Sequence, residues 1–128
     1  MGTASYTKTA IANFRNPLAL RNHTTSPLTV LAGNSLLVGD VVGVVTASGK
    51  AIKSLPGADD GSEVPVGIVH IATDATAADV DTEVVSSGEV DAEGLTANTW
   101  DALKLRLALQ DKGIILYNSN EDTSEGVV

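Results

Sequence analysis

The 128-residue chain contains no cysteine. Disulfides and thiolate metal centres are therefore excluded, and the redox compartment cannot be read from cysteine usage. Aromatic residues are scarce as well, with one Phe, one Trp and two Tyr, so any core must be assembled mainly from aliphatic side chains. No stretch approaches the ~20 apolar residues of a membrane-crossing helix, and the start of the chain lacks the apolar run of a secretory signal. A soluble, unexported protein is expected, with no membrane partner. The most unusual absence is local: residues 1–39 hold not one Asp or Glu, although the chain carries sixteen of them and a net charge of −8.

The charge is thus segregated. Residues 1–39 carry Lys8, Arg15 and Arg21 and no acid, while the remainder sets five bases against all sixteen acids. So acidic a body repels phosphate backbones, and three dispersed bases fall short of the cluster a nucleic-acid arm needs. No nucleic-acid partner is expected.

Three regions follow from composition. Residues 1–27 are rich in Thr, Ser, Asn and Ala and have too few large apolar side chains to form a core, so they read as an N-terminal arm that is mobile in isolation. Residues 28–118 show short Val- and Ile-rich runs divided by turn residues, the pattern of a β-rich domain. Strands are expected at 28–31, 40–45, 51–54, 66–71, 82–86 and 114–117. Residues 119–128 form an acidic tail, expected to be loose. In 103–110 the leucines alternate as on a strand, but every residue is a good helix former and none is β-branched. Thr99 reads as an N-cap with Asp101 as an acid in the first turn, and Lys112 and Gly113 as a C-terminal stop, so a short helix is expected there. The fold class is mainly β (α+β): a small barrel-like domain with one short helix near its C-terminus and an extended N-terminal arm.

Catalytic and metal-binding sets are hard to assemble. His23 lies in the polar arm and His70 on an expected strand; two histidines without thiolates make no zinc site. The segment from Gly43 to Lys50 spaces its glycines one residue too widely for a phosphate loop and lacks the hydroxyl after the lysine, so a hairpin turn accounts for it better. Asp79, Asp81 and Glu83 alternate, as do Glu89, Asp91 and Glu93; neither set has the spacing of a calcium loop, and solvated acidic loops are expected. Trp100 reads as a core residue at the helix start. No catalytic residue, cofactor or metal is assigned, and an enzyme is not expected.

The order of weak elements from Lys50-Ala51-Ile52-Lys53-Ser54, through Gly61, to Val66-Gly67-Ile68-Val69-His70-Ile71-Ala72 resembles the head decoration proteins of phage lambda and its relatives. The likeness continues through Ser87-Gly88, which in that family forms a hairpin, then Leu95, a helix over 101–110 and a closing apolar strand at 114–117. It covers about residues 24–118. The resemblance implies a homotrimer on local three-fold sites of the expanded capsid, on the virion's outer surface. It would reinforce the head against internal DNA pressure, with the arm ordering on the major capsid protein.

The arm's composition suits that role. A segment that adds a strand to a sheet edge draws affinity from main-chain hydrogen bonds and register from alternating side chains. Tyr6, Lys8 and Ala10 would face one side, Thr7, Thr9 and Ile11 the other, with Phe14 as apolar anchor and Arg15 and Lys8 pairing with carboxylates. The capsid-binding set is therefore Tyr6, Thr7, Lys8, Thr9, Ile11, Phe14 and Arg15. Alternatives stay open: the arm could be an unselected floppy terminus or a strand completing its own domain, and the whole could be a β-barrel binding module that recognises carbohydrate or peptide through its loops.

Overall fold

The computed structural model describes residues 18–96 and 99–117. Among the described residues there are eight strands: β1 (Arg21–Val30), β2 (Asn34–Leu36), β3 (Val41–Val45), β4 (Lys50–Lys53), β5 (Gly67–Val69), β6 (Thr73–Ala75), β7 (Val80–Asp91) and β8 (Ile114–Tyr117). One α-helix, α1 (Ala102–Asp111), lies between β7 and β8. Six strands share a sheet in the order β1-β4-β3-β5-β7-β8, and β1 also pairs with β7, so five of them close into a ring with β8 appended. β2 and β6 form a separate two-stranded sheet.

The short apolar runs of the sequence are explained by burial on two faces. A strand sends successive side chains to opposite sides. Here Val41, Ile68 and Val85 enter one core cluster while their neighbours Val42, Val69 and Val84 enter the other. Adjacent hydrophobes are thus demanded at the centre of the ring, and Val41-Val42, Ile68-Val69 and Val84-Val85 supply them. The first cluster is completed by Leu18, Val90, Leu105, Leu109 and Ile114, the second by Val30, Leu36, Ala51 and Ala75. Helix α1 therefore covers one face and the β2–β6 pair the other.

Helix α1 forms where expected, but its N-cap is Asp101 and not Thr99. Asp101 accepts from the Lys104 backbone N–H at 3.1 Å, satisfying one of the helix's orphan donors. Lys112 closes it, and Gly113 follows at φ +91°, the left-handed conformation that costs glycine little. Because the four leucines alternate, the helix can bury only two: Leu105 and Leu109 face the core, while Leu103 and Leu107 remain 62 % and 55 % exposed. The helix supplies the crossover that parallel strands need, for β7 and β8 run parallel with Gly88 opposite Ile114 and Asp91 opposite Tyr117.

Several expectations require correction. β1 begins at Arg21, seven residues before the domain boundary drawn from composition, and pairs antiparallel with β7 along its length. Residues 21–27 thus belong to the domain's own sheet, and His23 lies on that strand rather than in a free polar stretch. Ser87-Gly88 forms no hairpin: both lie inside the twelve-residue β7. Asp79, Asp81 and Glu83 do not lie in a free loop either, because the last two are on β7 and all three are bonded across to neighbours. Asp79 accepts from the Lys50 ammonium and the Ala32 N–H, Asp81 from Thr29 Oγ1 at 2.7 Å, and Glu83 from Thr25 Oγ1 at 3.2 Å. Glu93, by contrast, leaves the strand for a single 3-10 turn, Ala92–Gly94, capped by Asp91.

The β3–β4 hairpin carries the long loop before β5 on its back. Gly43 lies so close to Ser62 that an added Cβ would collide with the Ser62 carbonyl. The loop is held by Asp60, whose carboxylate accepts from both the Ser62 hydroxyl and its N–H, and by the Thr46 N–H, which donates to the Asp60 carbonyl at 2.9 Å. The two Ser62 bonds hold the Asp60 carboxyl below the usual carboxylate range, the hydroxyl contributing most. Gly43→Ala is expected to destabilise the domain by about 2 kcal/mol in urea unfolding, because backbone on both sides must move. A group whose folded-state pKa is depressed stabilises above its unfolded pKa and loses that contribution as pH falls through the folded one. Ser62→Ala should therefore lower the urea midpoint at neutral pH, and its deficit against wild type should shrink below about pH 4.

Candidate functional site

The seven arm residues Tyr6, Thr7, Lys8, Thr9, Ile11, Phe14 and Arg15 lie outside the described residues, as does the tail 119–128. The structure does describe the place where the arm joins the body. Leu18 is completely buried and belongs to the helix-side core cluster together with Val90, Leu105 and Ile114. Its carbonyl accepts from the Asp91 N–H at 2.9 Å, at the end of β7. One residue later the Ala19 carbonyl accepts from the Tyr117 hydroxyl at 2.7 Å, at the end of β8. The chain is thus fastened by an apolar plug and two hydrogen bonds before β1 begins.

Arg21 adds a third fastening. Its guanidinium stacks 4.0 Å above the centroid of the Tyr117 ring and reaches Glu89 at 3.7 Å. Both groups of the ion pair are about half exposed, so the pair contributes little by itself. The stack over an aromatic face orients the side chain along the body. Of the three bases in the acid-free segment, Arg21 is therefore engaged by the domain; Lys8 and Arg15 lie outside the described residues.

The backbone here is bent. Ala19 at φ +44° and Asn22 at φ +49° adopt left-handed conformations, which cost a non-glycine residue of order 1 kcal/mol or more. The β1–β7 register shifts between Arg21 and Thr24 and again between Thr24 and Thr25. Opposite this irregularity sits Gly88 at φ +122°, so close to His23 that a Cβ would overlap the His23 backbone. The Ser87-Gly88 pair read as a hairpin is thus the partner of a bulge that aims the chain out of the sheet. No motif in the sequence signals this, because Leu18, Ala19 and Asn22 are ordinary residues placed by tertiary contacts.

Beside this root lies an apolar cleft of about 270 Å³ lined by Ala92, Leu95, Trp100, Ala102, Leu105, Arg106 and Leu116. Trp100 is half-buried; its indole N–H donates to the Ser54 carbonyl at 3.0 Å, which fixes the ring against the body. Reading Trp100 as core was correct on one side only, for its outer part forms a wall of the cleft.

His70 follows β5 and is partly buried, with Nε2 enclosed and without a hydrogen-bond partner among the described residues. No three His, Asp or Glu side chains converge as a metal set among those residues. No helix is long and apolar enough to cross a membrane there.

Residues 17–114 match the family described as bacteriophage lambda head decoration protein D. The chain belongs to that family. The match starts one residue before Leu18 and ends at the first residue of β8, so it coincides with the body and leaves most of the arm outside it. Members of this family are components of the phage head, and their role is structural. No curated protein matches the chain.

Truncating the root should be costly. Leu18→Ala is expected to lower stability by about 3 kcal/mol in urea unfolding, because it leaves a cavity in a closed cluster. Tyr117→Phe, which removes only the bond to Ala19, should cost less than about 1 kcal/mol. Comparable losses for the two variants would show that Leu18 is not the main fastening.

Proposed function

We propose that the protein decorates the outer surface of a phage head as a homotrimer seated on local three-fold sites, with residues 1–17 adding to the major capsid protein. Membership of the head decoration family carries the reading, since it makes the capsid the partner and adhesion the activity. The acid-free composition of the first thirty-nine residues supports a partner surface rich in carboxylates, which Lys8 and Arg15 would meet without repulsion.

The mechanism separates two tasks. The ring supplies a rigid platform, and the fastening at Leu18, Ala19 and Arg21 gives the arm a fixed point of departure. An arm that adds a strand to an exposed sheet edge gains main-chain hydrogen bonds, and its Thr and Tyr residues favour the extended conformation. Three such arms on one body act in concert: once the first is bound, the others sit at a high effective concentration, and avidity can exceed single-arm affinity by about 10²-fold or more.

Reinforcement of the shell follows from the same geometry. Internal DNA pressure pulls neighbouring capsomers apart, and a trimer bridging them adds contacts that must break together. The acidic body limits adhesion to nucleic acid and to other virions.

Deleting residues 1–16 should leave a folded, trimeric body, measured by circular dichroism and light scattering, that no longer sediments with expanded heads. Undiminished decoration by the truncated protein would refute the assignment of the arm.

A further inference from the structure

We infer that copies of this chain meet head to tail, the outer face of α1 in one copy packing on the loop 55–64 of the next. The inference rests on the homotrimer reading above and names the surfaces that would build it. Charge singles out both surfaces. Residues 54–103 hold eleven Asp and Glu and neither Lys nor Arg, whereas Lys104, Arg106 and Lys112 follow within nine residues. Every other base among the described residues has an acid partner: Arg21 meets Glu89 at 3.7 Å, Lys53 meets Asp40 at 3.9 Å, and Lys50 meets Asp79. The three on and just after α1 have none there.

The same helix shows apolar side chains to solvent. At 3.6 residues per turn, Leu103 and Leu107 stack on the side opposite the buried Leu105 and Leu109, with Arg106 on one flank and Lys104 on the other. This cation-rimmed apolar stripe does not suit a copy of itself. Two α1 helices laid face to face across a two-fold axis would set Lys104 and Arg106 against the same cations of the other copy. The stripe calls for apolar side chains among carboxylates, and the loop between β4 and β5 offers them. Leu55 and Val64 are 44 % and 45 % exposed there, in one loop with Asp59 and Glu63. The Asp59 carboxylate has no hydrogen bond or ion pair among the described residues, whereas Asp79, Asp81 and Glu83 are engaged across the sheet. The loop is also a firm platform, since Ser62 packs on Gly43 and the Asp60 carbonyl accepts from the Thr46 N–H.

The two patches adjoin on one molecule. Ser54, at the start of the loop, accepts from the Trp100 indole N–H two residues before α1. A contact between two different patches repeats from copy to copy. It closes into a small ring when the patches lie side by side, and runs on into a filament when the rotation does not close. The geometry therefore agrees with a small closed ring and not with a two-fold dimer.

The test uses the full chain in sedimentation equilibrium over a dilution series. Wild type is expected to form trimers. Leu107→Asp, at an exposed position, should leave the circular dichroism spectrum and the urea midpoint unchanged. It should raise the concentration at which trimers half-dissociate by about tenfold or more. Reversing both cations, Lys104→Glu with Arg106→Glu, should weaken the trimers similarly, as should Asp59→Lys with Glu63→Lys. The chain carrying all four charge changes should associate more tightly than either pair alone, which damage to the fold would not produce. Trimers that withstand these variants, a four-change chain no tighter than its parents, or a wild type monomeric at every concentration would each overturn the contact. Sedimentation with expanded heads separates the two readings. Wild type that binds heads while the variants remain trimeric removes the contact and leaves the function. Variants that dissociate while trimeric wild type ignores heads remove the function and leave the contact.

Discussion

Burial on both faces of three neighbouring strands is the constraint from which the rest of this small protein follows. Val41-Val42 on β3, Ile68-Val69 on β5 and Val84-Val85 on β7 divide their side chains between two clusters. Neither face of the ring can then be left to water. The β2–β6 pair closes one side through Leu36 and Ala75, and α1 closes the other through Leu105 and Leu109. Leu18 fills the remaining place on the helix side, which makes the point of entry of the chain a part of the core rather than a loose end.

That coupling ties the start of the chain to the stability of the body. Leu18, the Asp91 and Tyr117 hydrogen bonds and the Arg21 stack together hold residues 18–21 to the ends of β7 and β8. The left-handed residues Ala19 and Asn22, with Gly88 opposite, bend the chain at this point and are held by the surrounding contacts. Charge follows the same division. Three of the body's carboxylates accept bonds from Thr25, Thr29 and Lys50 across the sheet, others such as Asp60 and Asp101 accept from turns and a helix N-terminus, and residues 1–39 carry none.

The parts legible in the sequence were those fixed by local chemistry. Strand 114–117 was read with its observed bounds, and α1 within one residue, because Asp101 and Gly113 mark its ends by capping rules that need no tertiary partner. The parts missed are those that depend on distant chain. β2 and β6 are three residues each and gain their identity from pairing with one another, with Leu36 opposite Thr73. β1 begins in Arg21-Asn22-His23-Thr24, a polar run with no apolar alternation, because its order comes from β7 and from hydroxyl contacts such as Ser26 to Ser86 at 2.9 Å. Ser87-Gly88 has turn composition and yet continues a strand, since the positive φ of Gly88 serves a bulge. The charge asymmetry that singled out the arm needed only the sequence; the root and the cleft needed the fold.

The central claim is that the leader takes its ordered, load-bearing form on a neighbouring shell subunit while the ring stays as it is. Electron cryo-microscopy of expanded heads saturated with the protein tests it most directly. The account predicts three copies of the ring around each local three-fold axis, with continuous density for residues 1–17 running as an added strand along the edge of a capsid-protein sheet. Rings bound to the shell through another face, with that leader making no contact with the capsid protein, would contradict it.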